Sequence, residues 1–281
     1  MTGLEGQDVA QLEYGTAQAK TSTLSFYVKA SETGTYSAAL VNIRPSGSIT
    51  SNVTRSHIKT YTVNSANTWE YKTLTFPGCP DGTWGSSNSD GITIVLDLGS
   101  GTNHQGSTDT WLTTSDTLAS GQVTLGDSNG GTWQITGLQF EVGSQATPFE
   151  HRSFGEELQL CKRYYYKSMD GNPADNIPNT DNTSSNGTFG IAMYSSTSGR
   201  TPYFQHPVQM RADPTVTVYS SERANQSGKF GLFNHSAWVA TATSTPTVDI
   251  NRITFSITHG SSLTAGYSYL LAGGFDADAE L

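Results

Sequence analysis

The chain has 281 residues and a formal net charge of -9, and only 14% of its residues are charged, against about 25% in an average globular protein. An acidic chain without a basic patch suits neither nucleic acid nor an anionic membrane surface, so we expect neither as a partner. No secretory signal, lipidation motif or transmembrane run is recognised, so membrane insertion is not expected. The length favours two domains of ordinary size.

The first half of the chain is predicted to be a series of β-strands. Apolar and polar residues alternate in six segments. These are Thr23 to Val28, Thr35 to Ile43, His57 to Val63, Trp69 to Phe76, Ile92 to Leu98, and the strand that begins at Trp133. Turn-forming Gly, Pro and Asn residues lie between them. Antiparallel strands with long loops predict a jelly-roll-like sandwich over residues 1–150.

A short helix is predicted after this domain. Ser153 and Glu156 fit the S-x-x-E capping box, and acids at the start and bases at the end suit the helix dipole. Leu158, Cys161 and Tyr165 recur at helical spacing, so we expect them to be buried as one stripe. We interpret the helix as the joint between two β-domains.

The second half is predicted to be another antiparallel sandwich, over residues 168–281, which leaves residues 151–167 for the linking helix. Its candidate strands are shorter than those of the first half. They are Thr188–Tyr194, Tyr203–Met210, Thr215–Tyr219, Lys229–Phe233, Ala237–Thr241, Ile253–Thr258 and Gly266–Gly273. The predicted fold class is therefore all-β: two antiparallel β-sandwich, jelly-roll-like domains joined by one short α-helix.

The stretch around the helix carries a resemblance to a known family. The run ITGLQFEVGSQATPFEHRSFGEELQLCKRYYY, residues 135–166, resembles a segment of virion structural and tail-fibre-like proteins of bacteriophages. In that family a strand and loop of the form TG-Q-EVG--ATPFEHR precede a helix of the form EL-LC-RYY. Further matches lie at Glu5–Gln7, Gly82–Trp84, Met210–Val216 and Ala277–Leu281. The family has an additional stretch before the first of these, which indicates a fragment or a shortened relative.

The resemblance implies a non-enzymatic protein of the bacteriophage virion, and we expect a tail fibre whose distal domain attaches to glycans on the host surface. It also implies a homotrimer, other virion proteins as partners, and a position on the tail or capsid surface. The first domain resembles the carbohydrate-binding-module-like sandwiches of the family. Two alternatives remain: a head fibre or capsid decoration protein, and a carbohydrate-binding module of a bacterial polysaccharide hydrolase.

The candidate receptor site lies in the loops of the second domain. Trp238, Asn234 and His235 form one group in the sequence, and Tyr203 is a further candidate. An aromatic ring can stack on the apolar face of a sugar, while amide and imidazole groups supply hydrogen bonds. The alternative is that these rings pack under loops or in a seam between subunits. The same two interpretations apply to aromatic residues in other loops, namely Trp84, Trp111 and Tyr219.

Patterns for catalysis and for metal binding are weak. Glu156 and Glu157 are adjacent on a helix and diverge, so they cannot flank one glycosidic bond. The segment Asp170–Asn176 is rich in the oxygen ligands that calcium prefers, but it lacks the EF-hand spacing, and a solvated loop is favoured. The histidines lack the spacing of a zinc site. We therefore expect no enzyme activity, no cofactor and no metal.

Overall fold

The computed structural model describes residues 1–42, 55–168, 188–219, 228–233, 235, 238–240, 243–259 and 263–280. The predicted all-β class is confirmed. The chain divides into two compact units, Met1–His151 and Arg152–Glu280, so the predicted helix lies within the second unit. In the ranges given above, no helix has the length and apolar character needed to cross a bilayer.

The first unit contains ten strands and one short helix in its described residues. They are β1 (Thr2–Glu5), α1 (Gly6–Val9), β2 (Ser22–Ala30), β3 (Gly34–Val41), β4 (Ser56–Val63), β5 (Glu70–Phe76), β6 (Asp90–Asp97), β7 (Gln105–Gly106), β8 (Trp111–Leu112), β9 (Leu118–Ala119) and β10 (Trp133–Val142). Three single turns of 3-10 helix lie at Ala10–Leu12, Thr102–His104 and Leu125–Asp127.

Two antiparallel sheets enclose the core of the first unit. One has the order β1-β6-β3-β4-β8 and the other the order β10-β2-β5, while β7 and β9 form a short parallel pair. On β2 the alternate residues Leu24, Phe26 and Val28 are fully buried, because successive side chains of a strand point to opposite faces. The two inner faces share one apolar cluster. This architecture is β-sandwich-like, and the jelly-roll connection order stays a prediction.

The described residues of the second unit form one helix and eleven strands. They are α2 (Phe154–Lys162), β11 (Tyr165–Lys167), β12 (Thr188–Met193), β13 (Ser198–Arg200), β14 (Phe204–Gln205), β15 (Thr215–Tyr219), β16 (Gly231–Phe233), β17 (Trp238–Ala240), β18 (Thr243–Val248), β19 (Arg252–Thr258), β20 (Ser268–Ala272) and β21 (Gly274–Asp278).

The larger sheet of the second unit is strongly curled. Strand β19 pairs with β18 on one side and with β13 and then β14 on the other, and the sheet continues as β12-β20-β16-β17. A flat sheet of seven strand positions would be about 29 Å wide. Its edge strands β17 and β18 are consecutive in the chain, and three Cα steps keep Ala240 within about 11 Å of Thr243. The sheet must therefore curve until its two edges approach each other.

A smaller sheet, β11-β21-β15, joins the segments that carry the resemblance in this half. Asp278 of β21 pairs with Tyr165 on one side and with Thr215 on the other. Beyond the strand, Arg211 Nε donates a hydrogen bond to the carbonyl oxygen of Ala279 at 2.7 Å. The resemblance in these segments therefore coincides with residues that hold the unit together, not with an exposed loop.

The capping box at the start of α2 is confirmed. The backbone amide of Glu156 donates to Ser153 Oγ at 3.3 Å, and the backbone amide of Ser153 donates to the Glu156 carboxylate at 2.9 Å. These bonds satisfy amide groups that have no partner within the helix. The bond from the Ser153 amide, together with one from the Ser153 hydroxyl at 2.9 Å, lowers the pKa of the Glu156 carboxyl, since both favour its charged form.

The predicted burial of the helix stripe is wrong. Leu158 and Cys161 are exposed, Tyr165 is only half-buried, and Phe154 at the first helical position is 82% exposed. Local caps can start a helix without a core contact, and helical spacing alone does not show that a packing surface lies opposite it. The helix thus presents its apolar residues to solvent in the single chain.

Candidate functional site

His235 lies in the turn of the β16–β17 hairpin and its side chain is exposed. Its backbone has φ 72°, in the left-handed region that is uncommon outside turns and glycine. The His235 ring centroid is 4.8 Å from that of Tyr269 and 6.5 Å from that of Tyr267. Tyr269 is buried and its hydroxyl accepts a hydrogen bond from the Thr264 amide at 2.9 Å, whereas Tyr267 is exposed. We call His235, Tyr267 and Tyr269 the hairpin cluster.

The rest of the predicted group cannot be placed on this cluster. Trp238 opens strand β17, where its backbone pairs with Phe233, but its side chain lies outside the described residues. Asn234 lies entirely outside them. The roles of Trp238 and Asn234 in receptor binding therefore stay predictions.

Tyr203 is exposed, but one face of its ring is occupied. The guanidinium carbon of Arg252 lies 4.4 Å from the ring centroid. The same guanidinium forms an ion pair with Asp249 at 3.0 Å, so the cation is held in place over the ring. Cation–π contacts at exposed sites contribute about 0.5–1 kcal/mol. A ligand at Tyr203 would use the opposite ring face.

A buried histidine anchors the turn that carries this cation. His206 Nε2 donates to the carbonyl oxygen of Asp249 at 2.9 Å, and Tyr166 Oη donates to His206 Nδ1 at 2.6 Å. Burial lowers the pKa of His206, because the charged imidazolium would lose its hydration. The Asp249 carboxylate accepts bonds from the amides of Asn251 and Arg252, and these bonds lower its pKa. The surroundings of Tyr203 are therefore fixed by a connected set of hydrogen bonds.

Tyr203, which was a separate candidate in the sequence, has surroundings different from those of His235. Tyr203 immediately precedes β14, whereas His235 follows β16 in the sheet described above, and the two rings have different neighbours. Sequence reasoning missed Tyr267 and Arg252. Tyr267 and Tyr269 alternate at the start of a predicted strand, a signal that could have indicated two rings on one face. Nothing in the sequence pairs Arg252 with Tyr203.

The packing interpretation holds for two tryptophans of the first unit. Trp84 and Trp111 are half-buried, and the Tyr14 ring lies 4.8 Å and 5.7 Å from them in edge-on geometry. Their indole nitrogens donate to the carbonyl oxygens of Asp81 at 3.0 Å and Pro77 at 3.1 Å. Both rings therefore complete the end of the core instead of forming a sugar platform.

Tyr219 likewise has a structural role. Its hydroxyl donates to the Asp276 carboxylate at 3.0 Å across the small sheet. Burial and this carboxylate raise the pKa of Tyr219, since both disfavour the phenolate.

Acidic, histidine and cysteine side chains are scattered over the described residues. In those ranges, no three His, Cys, Asp or Glu side chains lie close enough together to hold a metal ion. The segment Asp170–Asn176 lies outside them. Glu156 is engaged by Ser153, and Glu157 by Arg152 at 3.2 Å. Each of these carboxylates thus has a structural partner.

Comparisons of the chain with protein-family models, with curated proteins and with solved structures found no match.

Proposed function

We propose that the chain is a non-enzymatic structural protein of a bacteriophage virion, a tail fibre whose second unit attaches to glycans on the host surface. The virion role is supported by the family-like run at residues 135–166 and by the all-β architecture. The attachment role is carried by one observation: in the hairpin cluster, the exposed His235 of the β16–β17 turn lies with its ring centroid 6.5 Å from that of the exposed Tyr267, which directly precedes β20.

This arrangement suits recognition of a saccharide. Loops on a rigid sheet scaffold tolerate sequence change, which a receptor-binding surface requires. The exposed ring of Tyr267 offers an apolar face for a sugar ring, and the imidazole of His235 can exchange hydrogen bonds with its hydroxyls. Tyr203, with Arg252 beneath it, offers a second ring and adjacent donors. No covalent step is needed for attachment.

The proposal is tested by immunogold electron microscopy on virions from a lysate whose DNA encodes this chain. If the chain is a tail fibre, we expect gold particles at the distal ends of tails and at contacts with adsorbing cells. Periodate oxidation of the cells, which opens sugar rings, should then abolish adsorption, while mock-treated cells should still bind. Gold on the capsid would instead support a head fibre or decoration protein. Virions without gold would contradict any virion role.

We further propose that the chain assembles as a homotrimer. Helix α2 exposes Phe154, Leu158 and Leu160 in the single chain, and assembly would cover such apolar residues. Tethering several weak sugar-binding tips raises avidity by roughly 10²–10⁴. Light scattering should return three times the chain mass of 30.1 kDa.

A charge on the helix should disrupt this assembly. Phe154→Glu should shift the measured mass towards that of the monomer, because a charged carboxylate is unfavourable in a buried contact between subunits. The helix itself should persist, since an acidic residue in its first turn interacts favourably with the helix dipole. Tyr194→Glu alters an exposed residue of the same unit and should leave the mass unchanged. A wild-type chain that is a stable monomer at micromolar concentration would contradict the trimer.

A further inference from the structure

The outer face of the sheet β10-β2-β5 carries a second set of exposed aromatic residues. The register places Tyr27 of β2 opposite Tyr71 of β5, and their ring centroids are 5.0 Å apart. Trp69 directly precedes β5 and lies beside Lys29, whose ammonium is 5.7 Å from the indole ring. We call Tyr27, Trp69 and Tyr71 the outer aromatic platform.

A loop covers the other half of this face and leaves the platform open. Thr23 Oγ1 donates to the carbonyl oxygen of Gly143 at 2.7 Å, and Thr23 is fully buried beneath the loop. The loop is fixed by Glu141, whose carboxylate accepts bonds from the amide and hydroxyl of Thr147 at 2.9 Å and 2.7 Å. The amide of Glu150 donates to Gln139 Oε1 at 2.8 Å. These hydrogen bonds hold the family-like loop over one half of the sheet face, so they fix the boundary between the covered and the open half.

The open area is too small for a stable protein interface. Tyr27, Trp69 and Tyr71 are 45%, 45% and 48% exposed, and a full aromatic side chain has an area of 150–250 Å², so the three rings offer roughly 300 Å². A stable interface needs about 800 Å² on each partner. This area instead matches one or two sugar rings, which bind by stacking on single aromatic side chains.

The polar groups around the rings also favour a saccharide as the ligand. Exposed hydroxyl and amide groups lie beside them at Thr73, Thr136 and Gln134, so polar partners for sugar hydroxyls alternate with apolar ring faces. Lys29 is the only charged residue among the outward positions of the open half, and it already lies against Trp69. The net charge of -9 disfavours nucleic acid, although bases also stack on aromatic rings. The same charge disfavours strongly anionic polysaccharides.

We propose that the outer aromatic platform is a second carbohydrate-binding site, which takes pyranose rings of a neutral polysaccharide. The site lies in the first unit, whereas the proposed attachment surface lies in the second, so neither depends on the other. Stacking on Tyr71 and Trp69 supplies the apolar contact. Thr73, Thr136 and Gln134 supply hydrogen bonds at the rim.

The test uses the full chain on a printed array of bacterial O-antigen and capsular polysaccharides, together with neutral glucans, mannans and xylans. The wild type should bind at least one neutral polysaccharide. Tyr71→Ala should bind it about tenfold more weakly or worse, because a stacking surface is lost. Trp69→Ala, which lies outside strand β5, is the second variant and should show the same loss. Both variants should keep the wild-type thermal transition, since Trp69 and Tyr71 are nearly half exposed and do not belong to the apolar cluster of the first unit.

Two matched variants locate the binding. Tyr194→Ala removes an exposed tyrosine of the second unit, and His235→Ala alters the hairpin cluster. Both should retain wild-type binding to the polysaccharide in question. Three outcomes would overturn the proposal: no neutral polysaccharide captured by the wild type, undiminished binding by Tyr71→Ala and Trp69→Ala, or binding that is lost only in His235→Ala. The last outcome would leave the proposed function standing.

Discussion

Replacing Phe255 with alanine is expected to lower the free energy of unfolding of the second unit by about 3–5 kcal/mol. Phe255 is fully buried on β19, and its ring centroid lies 5.1 Å from that of Phe230 and 5.2 Å from that of Phe275. Phe204 packs against it at 6.2 Å. Phe204 and Phe275 belong to β14 and β21, and Phe230 directly precedes β16, so removal of the ring leaves a cavity among three aromatic neighbours from different segments of the chain. Such a site cannot collapse easily.

Calorimetric unfolding measures this effect, and the chain supplies two controls. Leu270→Ala removes an exposed side chain of β20 and should change the stability by less than about 1 kcal/mol. Tryptophan fluorescence reports mainly on the first unit, so the unfolding transition that it follows should be the same in Phe255→Ala and in the wild type. Four of the five tryptophans lie there: Trp69, Trp84, Trp111 and Trp133. A loss below about 1 kcal/mol in Phe255→Ala would mean that the core of the second unit is assigned wrongly.

The first unit should lose stability in mild acid because of His57. This side chain is fully buried on β4 between the rings of Phe76 and Trp111, at 5.4 Å and 5.0 Å. Neither of its ring nitrogens has a hydrogen-bond partner among the residues that the structure describes. Burial lowers the pKa of His57 to about 4, with a smaller contribution from the charge of Lys59, while Asp109 opposes the shift.

The sign of the pH effect follows from the two protonation states. Below a pH of about 6.5, His57 is protonated in the unfolded chain but stays neutral in the folded chain until the pH approaches 4. The contribution of His57 to the free energy of unfolding is therefore fully present above pH 6.5 and is lost as the pH falls towards 4. At pH 5 the loss is about 2 kcal/mol. Denaturant unfolding followed by tryptophan fluorescence should show it, and His57→Leu should remove most of the slope between pH 6.5 and 5. An unchanged slope in His57→Leu would assign the acid sensitivity to other groups.

Strands with a clear alternation were predictable from the sequence. The prediction for Thr215–Tyr219 matches β15, and that for His57–Val63 differs from β4 by one residue. Strands β11 and β21 were missed, since β11 has only three residues and β21 has Phe275 as its only large apolar side chain, so both carry little periodic signal. They form because segments distant in the chain meet as partners. The alternation of apolar and polar residues predicts which face of a strand is buried, but it does not predict which strands pair with it.

The candidate sites show the same division between local and distant information. The capping box consists of residues within a four-residue segment, so it could be recognised from the sequence. Whether Leu158 would be covered depended on surfaces elsewhere in the chain. Tyr27 and Tyr71 attract no attention in the sequence, because each is one aromatic residue in a separate strand. Only the strand register brings their rings together on one face.

The position of β21 bears on how the second unit can be made. This strand, Gly274–Asp278, lies between β11 and β15 in the small sheet and follows β20 through Gly273. A side chain at Gly273 would collide with the Tyr219 carbonyl oxygen, 2.2 Å from the position of its Cβ, so the link admits only glycine. Among the described strands β11 and β15 pair only with β21, so during translation they lack this partner until Asp278 has left the ribosome. A chain terminated before that residue would carry unpaired strand edges, so only chains translated through this strand can yield a folded second unit.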